Sequence, residues 1–334
     1  MAELNDLAAF SHRIGSDPEQ VQAAGGNTSL KDDDGVLWVK ASGLWLADAL
    51  ERPIFVPVAL RPLLAVIDAG LADPVSAAVV GERNPEGLRP SIETTLHGLL
   101  PHRVVVHTHS VRTIALAIRA DAEALLAERL DGIAWRFVPY RQPGLPLTQA
   151  MAERLRDAPA DVLVLGNHGL VVGGADLDAA ERLLAEVERR LDAPVHPGRP
   201  SSPDCKQLPG LRPVRDERVH RLAYDHLRLG WAEQGSLYPD HVIFLGPAVV
   251  RHEVGDRAPG LGASKLLLWA DHGAFLPEDA TRAADELALC LALVLERVPD
   301  DARLAYLTAD DEAALLDWDA EKYRQALEKQ RSGG

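Results

Sequence analysis

Two histidines, His107 and His109, leave a run of β-branched residues, Val104-Val105-Val106, with one threonine between them. On a strand the side-chain period is two, so both imidazoles leave the same face. Neutral ring nitrogens on one face suit a divalent ion, zinc above all, at about 2.0 to 2.1 Å. Taken alone, the pair is equally compatible with a half-exposed polar face that binds nothing. A third histidine tips the balance. From Asp161 to Val172, two apolar strand-like runs flank a Gly166-Asn167-His168-Gly169 turn, which projects His168 from backbone that glycine bends easily. Three histidines with an open fourth position make a catalytic zinc set, one Zn2+ per chain.

Two other segments carry groups that such a site would use. In Pro90-Ser91-Ile92-Glu93, followed by Leu96, Leu99 and Leu100, the pattern predicts a helix over 91–100 with an acidic first turn. Glu93 is then either a carboxylate favoured by the helix dipole or, if the helix packs back on the histidine strand, a group at the metal. Around Gly25, Gly26 and Asn27, successive backbone N–H groups form either an anion-binding nest or merely a tight turn. The hydroxyls of Thr28 and Ser42 and the ammonium of Lys40 are candidate extra donors for an anion there.

In order along the chain stand Gly26-Asn27-Thr28-Ser29, Ser42-Gly43, Pro90-Ser91-Ile92-Glu93, His107-Thr108-His109 and Asn167-His168-Gly169. That ordered set resembles the class II aldolase/adducin family over about the first 195 residues. The later Tyr238-Pro239-Asp240-His241 and Trp318-Asp319-Ala320-Glu321-Lys322-Tyr323 look like the extension of bifunctional rhamnulose-1-phosphate aldolase/alcohol dehydrogenases, here without a dehydrogenase part. The resemblance implies metal-assisted retro-aldol cleavage of a sugar ketose, its 1-phosphate, to dihydroxyacetone phosphate and an aldehyde. His107, His109 and His168 would hold zinc, with Glu93 a further ligand before substrate arrives and the proton carrier afterwards. Gly26, Asn27, Thr28, Lys40, Ser42, Gly43 and Ser91 would bind the phosphate. Ile92 stands where the family has a second serine, so one hydroxyl is missing. The tyrosine that protonates the departing aldehyde in the fuculose-phosphate members has no counterpart between Val111 and Pro139, and Tyr140 is the first available. Two other readings remain: a pentulose-phosphate 4-epimerase of the same fold, and a non-catalytic adducin-like binding module. The resemblance also implies a homo-oligomer, a tetramer.

The expected fold is α/β. A three-layer αβα class II aldolase-like domain with a central mixed or antiparallel sheet covers 1–195, a proline-rich linker 196–213, and a smaller α/β domain 214–334. Helices are expected at Leu4–Ile14, Pro57–Ala69, Val111–Arg129 and Leu177–Leu191, with strands around Leu37–Lys40. Leu266 to Phe275 echoes the Asn167-His168-Gly169 unit, as a duplicated half-domain or as an ordinary strand-turn-strand-helix unit. His241 and His272 read as structural or cleft-lining rather than as ligands. A net charge of −15 without a basic run argues against nucleic acid or an anionic membrane as partner and leaves a small sugar or sugar phosphate. No apolar run approaches the ~20 residues of a membrane span, and no signal character is evident. Two cysteines, Cys205 and Cys290, are too few for a disulfide framework, so a cytoplasmic location is expected. No G-x-G-x-x-G stands between a strand and a helix in 204–334, so no nicotinamide cofactor is expected there.

Overall fold

The computed structural model describes residues 2–70, 75–196, 208–253 and 260–332. Contacts divide the chain into two compact units, Met1–Thr113 with Glu123–Asp192, and Ile114–Ala122 with Ala193–Gly334. Residues 197–207 of the expected linker, Cys205 among them, lie outside the described residues. No helix among the described residues is long and apolar enough to cross a membrane.

In the first unit, helix α1 (Ala2–Gly15) buries Leu7, Phe10, Ser11 and Ile14, the i, i+3, i+4, i+7 stripe of an amphipathic helix. Strands β1 (Asn27–Lys31), β2 (Val36–Lys40) and β3 (Phe55–Ala59) follow, then α2 (Leu60–Ala69), α3 (Thr94–Leu99) and β4 (Val104–Thr108). After α4 (Val111–Ala117), most of which belongs to the second unit, and α5 (Ala122–Arg129) come β5 (Trp135–Val138), α6 (Leu145–Asp157), β6 (Val162–Leu165), β7 (Gly169–Gly174) and α7 (Leu177–Leu191). The strands form one sheet in the order β3-β2-β1-β4-β7-β6-β5. All neighbours are antiparallel except β5 and β6, so the sheet is mixed.

One face of this sheet carries α1 and α7, joined by Arg13–Glu181 at 2.6 Å. The other carries α3 and α6, whose Leu96, Leu147 and Met151 pack with Val105, Leu163, Leu165 and Val171. The layering is therefore αβα. Asp176 caps α7 by accepting from the Ala179 N–H, which is why that helix starts where its periodicity does.

The second unit holds a four-stranded sheet, β8-β11-β10-β9, built from β8 (Leu211–Pro213), β9 (Val250–His252), β10 (Leu267–Trp269) and β11 (Gly273–Pro277). Its helices are α8 (Glu217–Tyr224), α9 (His226–Gln234), α10 (Pro239–Leu245), α11 (Arg282–Leu295), α12 (Ala309–Asp317) and α13 (Asp319–Ser332). Helix α11 buries almost every side chain, the mark of a helix inside a core rather than on its surface.

Three expected elements are corrected. The helix over Pro57–Ala69 begins only at Leu60, because 55–59 pair with β2 and place Val56 and Val58 in the core. Pro57 is tolerated there because β3 is the edge strand. The helix over Val111–Arg129 is broken, since the Ala120 N–H donates to the Arg303 carbonyl and the Ala305 N–H to the Ile118 carbonyl. That pairing overrides local helix propensity. The helix expected from Ser91 starts at Thr94, because Ser91 is tied by its N–H to the Lys40 carbonyl at 3.0 Å.

Candidate metal centre and active site

Strand β4 is the axis of the site. It pairs antiparallel with β1, placing Asn27 opposite His107, and with β7, placing His107 opposite Val171. The period of two sends Val105, His107 and His109 toward the face covered by α3. His168 arrives from the β6–β7 hairpin, where Asn167 takes the left-handed φ of +53° and the His168 N–H bonds the Leu165 carbonyl at 3.1 Å. Gly169 lets β7 close on β4: any Cβ there would collide with the Thr108 carbonyl.

The three imidazoles form a near-equilateral triangle with ring centroids 5.0, 5.0 and 5.1 Å apart. One donor atom from each lies within 4.8 Å of the others, and all three residues are buried. Among the described residues this is the group of three so arranged. His107 Nδ1 stands 2.9 Å from the Leu170 carbonyl, which only accepts, so Nδ1 carries the proton and Nε2 keeps its lone pair. This donor set fits a divalent metal: three buried ring nitrogens converge, and the tautomer that leaves Nε2 as a ligand is imposed on His107 by the backbone.

Glu93 faces the triangle. Its Oε2 is 3.4 Å from His107 Nε2 and its Oε1 3.3 Å from His168 Nε2. Burial pushes the carboxyl up, but His107, His168 and His109, with the Asn27 amide, outweigh it and hold it down at about 2. Asn27 Nδ2 donates to Glu93 Oε2 at 2.9 Å and to Ser91 Oγ at 3.2 Å. Ser91 Oγ also accepts from the Glu93 N–H at 3.2 Å, which turns the carboxylate inward at the start of α3.

The glycine turn and the Ser42-Gly43 turn lie beside this group. Gly26 has φ +57°, and a Cβ there would come within 2.9 Å of the His107 carbonyl. Gly43 has φ +74°, and Ser42 and Gly43 are both partly exposed. The Ser42 N–H donates to the Arg89 carbonyl at 2.8 Å, so this turn and the Pro90-Ser91 segment run side by side. Lys40 is 1% exposed, and its Nζ donates to the Ala24 carbonyl at 2.8 Å and the Leu44 carbonyl at 2.7 Å. Its ammonium thus staples one turn to the other.

Two residues are placed differently from the rest. Thr28 alternates away from Asn27 on β1, and its hydroxyl meets Ser11 of α1 at 2.7 Å, on the opposite face of the sheet from Glu93. Its side chain is therefore not gathered at the site, a correction to its expected role as a donor. Tyr140 follows β5 at the base of the His168 hairpin, where a Cβ on Gly166 would come within 3.1 Å of its backbone nitrogen. In the second unit, the His241 Nδ1 accepts from the Leu237 N–H, and the His272 ring stacks on Trp269 at 4.3 Å.

His97 is the residue that sequence reasoning missed. It is fully buried on α3, with Nε2 bonded to Asn27 Oδ1 and Nδ1 2.7 Å from Ser29 Oγ. Burial, with His107, pushes its pKa down to about 3, so the ring is neutral. The available signal was spacing: His97 follows Glu93 by four residues, one helical turn on the same face.

The model of the class II aldolase and adducin N-terminal domain family matches residues 5–193. A curated relative, the uncharacterized oxidoreductase YuxG of Bacillus subtilis (strain 168), is 34% identical over 186 residues, 51% of this chain and 26% of the relative. The chain thus spans about a quarter of that relative's length. Among solved structures, the N-terminal class II aldolase domain of a conserved protein from Thermoplasma acidophilum is similar at 28% identity and TM-score 0.47, over 57% of this chain and 92% of that one. The L-fuculose-1-phosphate aldolase of Thermus thermophilus is similar at 18% identity and TM-score 0.39, over 57% and 92% of the two chains. The family match covers more than half of the chain and takes in Asn27, Glu93 and all three histidines, so the chain belongs to the class II aldolase and adducin family.

Proposed function

We propose that this chain is a zinc-dependent aldehyde-lyase that cleaves a ketose 1-phosphate to dihydroxyacetone phosphate and an aldehyde. The observation that carries the reading is the Glu93 carboxylate, buried and held 3.3–3.4 Å from two of three converging imidazoles. Proton transfer at a metal-bound substrate gives this buried carboxylate a use that an adducin-like binding module does not require.

Zinc held by His107, His109 and His168 would supply Lewis acidity for the oxygens of the developing enediolate. The remaining steps belong to the chain. The Gly26-Asn27 turn, with the Ser42 hydroxyl and Gly43, binds the phosphate, the Gly25 and Ser42 N–H groups being committed to the Gln22 and Arg89 carbonyls, and Lys40 keeps the two turns in register. Glu93 moves a proton to and from the enediolate carbon through its carboxylate. Tyr140, beside the His168 hairpin, is the candidate donor to the departing aldehyde.

The family contains both aldolases and epimerases, and a pentulose-phosphate 4-epimerase would use the same metal set. Product analysis on a panel of ketose 1-phosphates separates them: two carbonyl fragments from a lyase, a stereoisomer of unchanged mass from an epimerase. Metal analysis on the same sample should find about one zinc per chain. A metal-loaded protein that turns over no member of the panel would end the lyase reading.

A further inference from the structure

The deepest polar groups beside the site form a chain with one direction. Glu93 Oε2 only accepts, so the Asn27 atom 2.9 Å away is the NH2 and Asn27 Oδ1 is turned toward α3. Oδ1 also only accepts, so His97 Nε2 must carry the proton it shares with it. The neutral ring then offers the Nδ1 lone pair, and Ser29 Oγ, 2.7 Å away, donates into it. Every donor in the series Ser29, His97, Asn27 points toward the carboxylate. Asn27 and Ser29 reach His97 together because they share a face of β1, while Thr28 between them points to α1. His97 reaches them because it stands one turn after Glu93.

We propose that His97 is a positioning residue for the lyase reaction: it fixes the Asn27 amide with its NH2 toward Glu93, and so sets where the carboxylate sits when it moves its proton. The inference rests on the reading of Glu93 given above. With the His97 donor gone, the Asn27 amide loses one of the two bonds that distinguish its ends and is held by the carboxylate alone. The amide then swings more freely about that bond, and the carboxylate it holds is less sharply placed. Bonds in such a series polarise one another, so the effect on Glu93 exceeds that of one lost contact. The backbone N–H groups of the glycine turn do not depend on the side-chain amide, so substrate binding is spared.

His97→Phe keeps a buried ring and removes both bonds, and kcat should fall about ten- to a hundredfold with KM within about threefold and zinc retained. His97→Gln restores an N–H for Asn27 and an acceptor for Ser29 and should recover most of that loss, which a mere packing role would not allow. In an Asn27→Ala background His97→Phe should cost nothing further, because the amide through which it acts is absent. Independent of activity, nitrogen NMR of histidine-labelled protein should show His97 protonated at Nε2, the resonance being assigned by its loss in His97→Gln. A proton at Nδ1, losses that multiply in the double variant, or full kcat in His97→Phe would each overturn the proposal. If Glu93→Gln leaves turnover intact while His97 shows the Nε2 proton, the lyase reading of Glu93 has failed, the series stands as structural, and the positioning role is refuted with it.

Discussion

Two hairpins in this chain have nearly the same local build and different surroundings. In Leu165-Gly166-Asn167-His168-Gly169 and in Trp269-Ala270-Asp271-His272-Gly273, a residue of left-handed φ, +53° at Asn167 and +59° at Asp271, precedes the histidine. In both, the histidine N–H bonds a carbonyl three residues back, at 3.1 Å for His168 and 2.9 Å for His272, and a helix follows the second strand. The difference lies in the neighbouring strand. Beside β7 runs β4, which presents His107 and leads to His109; beside β11 runs β8, which is Leu-Arg-Pro. His168 therefore joins three other chemical groups, whereas His272 lies flat on Trp269. A turn can deliver an imidazole, but only strand pairing decides what it meets.

The most direct challenge to this contrast is to remove each histidine in turn. His168→Ala should strip the metal and abolish turnover, while His272→Ala should leave both unchanged; metal analysis and turnover on the two purified variants check it. A comparable metal loss from His272→Ala would show that the second hairpin is not inert. Glu93→Gln comes next: it keeps size and hydrogen bonding, so turnover should drop by roughly 10² to 10⁴ while zinc largely stays. If Glu93 were only a helix-start carboxylate, the change would cost at most about 1 kcal/mol of stability and spare activity.

Both units should weaken in acid, each through a buried histidine. Burial lowers the pKa of His241 from 6.5 to about 4, so the folded second unit binds fewer protons than its unfolded chain between those values. Its stability is complete above about pH 6.5 and declines as pH falls toward 4, by up to about 3 kcal/mol. In the first unit burial, with His107, lowers the pKa of His97 from 6.5 to about 3, so that unit's loss spans the same window and continues as pH falls below 4. Amide exchange in the second unit, followed at pH 7 and 4.5, should show the weakening, and His241→Gln should flatten it.

Gly169→Ala is smaller again. The added Cβ collides with the Thr108 carbonyl, so the β4–β7 pairing must shift, at a cost of about 1–3 kcal/mol in denaturant unfolding. Asn167→Gly and Asp271→Gly, which relax the left-handed residue in each hairpin, should each change stability by less than about 1 kcal/mol. A large difference between those two would mean that the turns are not equivalent after all.

Much of the site was legible before any fold was known, because its signals are local. The H-x-H on β4 and the Asn-His-Gly turn follow from a period of two and from left-handed geometry, each contained in a few consecutive residues. Helix α7 shows its limits through its cap and its apolar spacing. Less legible were the neighbours of Lys40 and Thr28, both of which stand near the turns in sequence. The Lys40 ammonium bonds two carbonyls rather than pointing outward, and the Thr28 hydroxyl belongs to the α1 layer.

Which side chains share a face and where the backbone must turn could be read from the order of residues alone, since both depend on the chain's own geometry over a handful of positions. Three-dimensional packing was needed to bring Glu93 to His107 and His168 and to carry His97 past it to Asn27. Packing also breaks the helix after Ala117, so that Ile118 pairs with Ala305 and Ala120 with Arg303. Each of those outcomes depends on strand register and helix packing between segments far apart in the chain, whose free energy no local propensity encodes.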